Sequence, residues 1–203
     1  MPVIDDPRRT ILRVYRLIDD GFLIPDDEES AIRASRGSPT YGEITPTSVD
    51  RMLSYLQMTE RDVFYDLGSG VGKVINQVAI SAPVRRCVGV ELSETRVRLA
   101  RAALRQLRRE VRIEARRCSF RCENLLETSL EDATVIYTCS TAFSWRFLAR
   151  VCRRVRALER PVRFLSVQEL EPIEGFEHVE TLRLDMTWQR RDRLYIYEVG
   201  GIE

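Results

Sequence analysis

Two residue types that carry much of enzyme chemistry are nearly missing. The 203-residue chain holds one histidine, His178, and one lysine, Lys73, against 31 arginines. A single histidine rules out a multi-histidine zinc site. No GxSxG turn is present to make a serine hydrolase around His178, which reads as a surface or strand-edge residue in GFEHVETLRL. The five cysteines are an odd number without a CxxC pair; Cys118 and Cys122 lie four apart, but no second Cys/His pair follows to complete a metal site. They read as reduced thiols that fill core space, with no metal expected. No apolar run approaches the roughly 20 residues of a membrane span. The opening MPVIDDPRRT has no apolar stretch of the signal-peptide kind, so no membrane association and a cytoplasmic location are expected. A net charge of +1 excludes a molecule that binds nucleic acid by overall electrostatics. GC-rich codon usage explains the arginine bias; a lysine-modifying enzyme that spares itself is the sharper alternative.

What is present alternates between two periodicities. Pro7 to Asp19 has apolar residues at helical spacing (Ile11, Val14, Tyr15, Ile18) and ends before Gly21. Asp26 to Glu29 reads as an acidic turn in an irregular lead-in. Thr45-Pro46 is a helix start, a capping residue followed by proline. VFYDL (63–67) is a strand, followed by a helix from about Gly72. CVGVE (87–91) is a strand and Ser93 to Arg109 a helix. Strands follow near 117–124, 133–138 and 162–167, with a helix at 145–158. The end alternates with period two around the polar turn 189–192, which predicts an antiparallel hairpin. The fold class is therefore α/β, a Rossmann-like, mostly parallel sheet with a C-terminal antiparallel hairpin. Residues 1–40 are expected to form a helix and lead-in arm, and 41–203 the functional domain.

The strongest chemical signal is Asp66-Leu67-Gly68-Ser69-Gly70-Val71-Gly72, between a strand and a helix. Glycines there let backbone approach a ligand at the carboxyl end of the strand. Glu91, at the tip of the next strand, is placed to accept ribose hydroxyls. A nicotinamide-binding turn shares these features, but its glycines read GxGxxG and here they read GxGxG. Asp66 suits a cationic ligand. S-adenosylmethionine carries an ammonium, a sulfonium and no phosphate, so it needs a carboxylate here and no anion cradle.

Tyr41-Gly42-Glu43 followed by MTERDVFYDLGSGVGK (58–73) resembles the core-histone lysine methyltransferases of the disruptor-of-telomeric-silencing type, which are non-SET enzymes of the class I fold. The similarity continues loosely through Gly89-Val90-Glu91, residues 134–137, Ala142-Phe143 and Met186-Thr187-Trp188, to about residue 198. It implies an S-adenosylmethionine-dependent methyltransferase whose partner is a protein bearing an acceptor lysine. By position, Tyr41 and Glu43 resemble residues that hold the methionine end of the cofactor. Asp66, Gly68 and Gly70 resemble the cofactor turn, Glu91 the ribose acid, and Glu123 an acid facing the adenine amine. Phe143, Trp188 and Tyr195 resemble aromatics of the lysine channel. Two departures stand out: Cys139-Ser140-Thr141 replaces an Asn-Asn pair near the reacting centre, and Lys73 replaces a glutamine. Without a lysine-rich extension, the chain reads as a bacterial relative.

Other readings stay open: a methyltransferase acting on RNA or a small molecule, or a non-catalytic S-adenosylmethionine-binding protein. The Asn-Pro-Pro-Tyr signature of nucleic-acid amino methylation is absent. Residues 96–121 hold ten arginines. That stretch is either a solvated helix face or a surface for nucleic acid or an acidic protein.

Overall fold

The computed structural model describes residues 6–18, 21–40 and 42–200. Strands β1 (Val63–Leu67), β2 (Arg86–Glu91), β3 (Cys118–Cys122), β4 (Val135–Thr138), β5 (Val162–Ser166), β6 (Phe176–Leu184) and β7 (Asp192–Val199) form one sheet in the order β3-β2-β1-β4-β5-β7-β6. The first five run parallel to one another. β7 inserts antiparallel between β5 and β6, with a register shift between His178 and Glu180. His178 lies exposed on the edge strand β6. The helices are α1 (Pro7–Tyr15), α2 (Asp26–Ala34), α3 (Pro46–Leu56), α4 (Lys73–Ser81), α5 (Glu94–Glu110) and α6 (Trp145–Arg156). None of the described helices is long and apolar enough to cross a membrane.

Alternation along each strand divides the core into two layers. Phe64, Cys87, Phe120, Val135 and Tyr137 face α3, α4 and α5. Val63, Tyr65, Leu67, Val88 and Ile136 face α6, whose Phe147, Leu148, Val151, Cys152 and Val155 form one apolar stripe. Helix starts follow the capping rule: the Thr45, Ser93 and Ser144 side chains accept from the backbone N–H groups of Ser48, Arg96 and Phe147.

Two local expectations change. The first helix ends at Tyr15, where a turn takes over before Gly21; Asp19 lies outside the described residues. The acidic stretch 26–29 is the first turn of α2, because carboxylates there favour the positive end of the helix dipole.

Gly89, mid-strand in β2, lies against both the glycine turn and β3. A Cβ there would approach Phe120 Cδ1 to 2.6 Å and Ser69 Oγ to 2.7 Å. Gly89→Ala is therefore expected to destabilise the fold by about 1–3 kcal/mol, the usual range for overpacking. Urea denaturation checks this, and an unchanged midpoint would show that the layer is looser than described.

Candidate functional site

The order of the sheet reverses between β1 and β4: from β1 the chain passes outward to β2 and β3, then returns to β4 on the other side. Such a switch point leaves a crevice at the carboxyl ends of the strands. A crevice of about 360 Å³ opens there, with Gly68, Val90, Glu91, Cys139 and Phe143 in its walls.

The turn between β1 and α4 is made by alternate glycines with left-handed backbone: Gly68 (φ 86°), Gly70 (φ 53°) and Gly72 (φ 79°). This accounts for the GxGxG spacing, since only glycine adopts these angles without steric cost. Glu91 locks the turn. Its Oε2 accepts from Gly70 N at 3.0 Å, and its Oε1 accepts from Leu92 N at 3.0 Å and Ser93 N at 2.9 Å. Gly70 itself is not in the crevice wall; its N–H points to this carboxylate.

Beside the crevice lies a smaller chamber of about 30 Å³, walled by Gly42, Glu43, Asp66, Ser69, Lys73 and Tyr137, among others. Gly68 and Cys139 line both spaces. Among the described residues three buried polar atoms of this region have no hydrogen-bond partner: Asp66 Oδ1, Ser69 Oγ and the Tyr137 hydroxyl. Buried polar groups are normally satisfied, so a ligand reaching this chamber would meet polar atoms with free capacity. Burial, with the Glu91 charge nearby, raises the Asp66 carboxyl well above its ordinary value of 3.8. A cation would reverse that shift. Lys73 Nζ forms an ion pair with Glu43 Oε2 at 2.5 Å and lies 5.3 Å from the centre of the Tyr15 ring. Burial and, next, the Asp66 charge push the Cys139 thiol up to about 12, so it is a neutral group; it donates weakly to Gly42 O at 3.8 Å.

The lead-in segment forms one wall of the crevice through Ile32, Ser35, Ser38 and Thr40. Two anchors hold it. The Arg96 guanidinium donates to Gly21 O and Pro39 O, both at 3.0 Å. Glu28 receives Ser93 Oγ at 2.5 Å and Thr95 Oγ1 at 2.8 Å, so it caps α5 from outside the helix. The sequence reading missed both anchors. Arg96 carries a signal in its spacing, because with Ala100, Ala103 and Leu107 it follows the buried stripe of α5.

The residues expected from the sequence divide as follows. Glu91, Glu123, Cys139, Phe143, Trp188 and Gly68 line the crevice, while Glu43 and Asp66 line the chamber. Glu123 sits across from Glu91 and takes a hydrogen bond from Thr128 Oγ1. Phe143 stacks edge-on against Phe147 at 4.8 Å. Trp188 is 40% exposed and covers Gly42 so closely that a Cβ there would meet its ring at 2.6 Å. Tyr195 departs from expectation: it is 7% exposed in the layer that faces α6, and its hydroxyl donates to Glu169 at 3.0 Å. It is not part of the crevice wall: the alternation of β7 packs its ring in the layer that faces α6, and its hydroxyl is held at Glu169. Tyr41 lies outside the described residues. Arg96 is buried by its anchoring role, so it is not part of any arginine-rich surface.

Comparison with known proteins bears on the fold and the family. Among solved structures, an RNA methyltransferase from Salinibacter ruber in complex with S-adenosyl-L-homocysteine is similar in fold (TM-score 0.60, 24% identity, covering 76% of this chain and 92% of that one). So is magnesium protoporphyrin IX methyltransferase from Synechocystis with bound SAM (TM-score 0.54, 17% identity, 99% and 100%). Among curated proteins, the H3 lysine-79 specific histone-lysine N-methyltransferase of Drosophila melanogaster is 43% identical over 60 residues, 30% of this chain. Its Caenorhabditis elegans counterpart is 27% identical over 142 residues, 66% of this chain. A protein-lysine N-methyltransferase of Saccharolobus islandicus is 34% identical over 88 residues, 43% of this chain. The matches span 3%, 15% and 52% of those relatives' own lengths. The family model described as histone methylation protein DOT1 matches residues 25–185, from the start of α2 to just past β6. The chain therefore belongs to the DOT1 family of histone methylation proteins.

Proposed function

We propose that the protein is an S-adenosylmethionine-dependent protein-lysine methyltransferase. The observation that carries this reading is the buried Asp66 carboxyl, with an oxygen that has no partner among the described residues, in a chamber that adjoins the crevice bordered by Glu91. These groups fit the cofactor. Asp66 would take its ammonium, Lys73 supplies a cation for its carboxylate, Glu91 would meet the ribose and Glu123 the adenine amine. Gly68 and Gly70 shape the turn, and Tyr41 and Glu43 would complete the methionine end. The segment before residue 41 serves as a wall of the site. We place the protein in the cytoplasm, where thiols such as Cys87 and Cys152 stay reduced.

When bound, S-adenosylmethionine supplies a methyl group on a positively charged sulfur. The chain's own residues align the acceptor and keep water out. Phe143 and Trp188 offer an apolar approach that disfavours an ammonium, which lowers an incoming lysine from its usual pKa of about 10.4 and favours the nucleophilic amine. The neutral Cys139 thiol replaces the family's amide at the junction of crevice and chamber without adding a charge there. No histidine base is needed.

Methylation of RNA is a second reading, supported by Arg98, Arg101, Arg105 and Arg108, which recur at helical spacing on the exposed side of α5. Such a row suits the phosphates of a nucleic acid. Transfer of a labelled methyl group into cell extract, followed by protease or nuclease digestion, separates the readings. Protease-sensitive label on lysine is expected. Nuclease-sensitive label favours RNA, and no label at all would point to a protein that binds the cofactor without catalysis.

The two aromatics should behave differently. Trp188→Ala is expected to lower turnover and leave stability and cofactor affinity near normal. Tyr195→Ala is expected to cost about 3 kcal/mol or more of stability through lost packing. The reverse pattern in paired kinetic and denaturation measurements would move Tyr195 into the site.

Asp66 also links binding to pH. Its folded pKa is raised, so it is protonated over a range above 3.8 in the free protein, and its burial destabilises the fold as pH rises through the raised value. A cationic ligand binds the ionised form, so affinity for the cofactor should rise with pH across that interval, with proton release on binding. Calorimetric titration in buffers of different ionisation enthalpy measures the release. Asp66→Asn should abolish it, and equal proton release in wild type and variant would exclude Asp66 as the cation's partner.

A further inference from the structure

The surface of α6 carries three arginines whose side chains have no ionic partner among the described residues. Arg146, Arg150 and Arg153 recur at i, i+4 and i+7, all exposed, so they form one stripe about 10 Å long. Among the described residues none of the three guanidinium groups makes an ion pair or hydrogen bond. Some other exposed arginines do: Arg13 meets Glu110 at 2.9 Å, Arg116 meets Glu60 at 2.6 Å and Arg156 meets Glu174 at 3.1 Å. Helix electrostatics explains cations in the last turn of α6, where Arg153, Arg154 and Arg156 lie. It does not explain Arg146, the second residue of the helix, where the dipole disfavours positive charge. A residue set against its local preference points to a use outside the fold.

The stripe begins where the acceptor must arrive. Phe143 and Phe147 line the crevice, and between them Trp145 opens α6 with 41% of its surface exposed. We infer that Trp145, Arg146, Arg150 and Arg153 form a docking track for an acidic segment of the methyl-acceptor protein. The inference rests on the protein-lysine reading above and extends it to the acceptor's sequence context. In an extended peptide, side chains on one side recur about every 6–7 Å, close to the roughly 6 Å axial step from Arg146 to Arg150. Alternate carboxylates would thus meet successive guanidiniums, which bind carboxylates in a bidentate fork. A nucleic-acid duplex engages phosphates over a wider face than one short stripe offers.

The test uses the full chain and a labelled short peptide in which one lysine adjoins a run of glutamates. A matched peptide with glutamines and a short single-stranded RNA serve as comparators. Fluorescence anisotropy at low salt compares wild type, the triple variant Arg146→Glu/Arg150→Glu/Arg153→Glu, and a control, Arg105→Glu/Arg108→Glu, on α5. The acidic peptide is expected to bind wild type and the α5 control alike, and the α6 variant at least about tenfold more weakly. Cofactor affinity should be unchanged in all three. If charge reversal impairs folding, as thermal unfolding would show, the corresponding Arg→Gln triple variant replaces it. Equal binding of the acidic peptide to wild type and α6 variant overturns the inference, as does a loss confined to RNA. Methylation of the peptide's lysine is scored separately. Docking that depends on α6 without methylation refutes the lysine reading alone, whereas methylation with unchanged KM in the α6 variant refutes the docking track alone.

Discussion

The site depends on one carboxylate that holds three backbone amides. Glu91, at the tip of β2, accepts from Gly70 in the glycine turn, from Leu92 beside it and from Ser93 at the start of α5. The donors join two separate turns, the glycine turn after β1 and the link from β2 to α5. A turn with three left-handed glycines has little conformational preference of its own, and glycine loses more freedom on ordering than any other residue. Charged hydrogen bonds of this kind contribute roughly 1.5–3 kcal/mol, enough to select one turn geometry among many. The crevice floor is thereby set from the neighbouring strand.

A second consequence follows from the same spot. With Glu91 committed to amides, a second carboxylate, Asp66, lies close enough to feel its charge, buried and with one oxygen unpartnered. Two nearby acids in a dry setting disfavour ionisation of one of them. The free protein therefore stores an unfavourable arrangement that a cation relieves. The lead-in segment closes the other side through Arg96 and Glu28, which join it to α5. Since Ser93 both donates its N–H to Glu91 and its hydroxyl to Glu28, the wall and the floor of the crevice share a residue.

The parts of this arrangement legible in the sequence are the local ones. Strand β1, the glycine spacing, the Thr45 cap and the terminal hairpin each depend on neighbours within a few residues. Asp66 and Glu91 were legible because strand tips in a parallel sheet converge at the switch point. The helix α2 was obscured because four successive acids resemble a solvated turn; its Glu28 gains meaning only from Ser93 and Thr95, far along the chain. Arg96 read as one more member of a basic helix, although its spacing with Ala100 and Ala103 put it on the buried side. Tyr195 shows a different limit. Period-two alternation divides β7 into two faces, but the pattern does not say which face meets the crevice, and both faces of this strand are apolar.

The most direct test of this account is calorimetric titration of S-adenosylmethionine into wild type and Glu91→Ala. The account predicts a folded variant whose affinity is weaker by roughly 1.5–3 kcal/mol, through loss of both the ribose contact and the ordered turn. Unchanged affinity in a folded Glu91→Ala protein would contradict it.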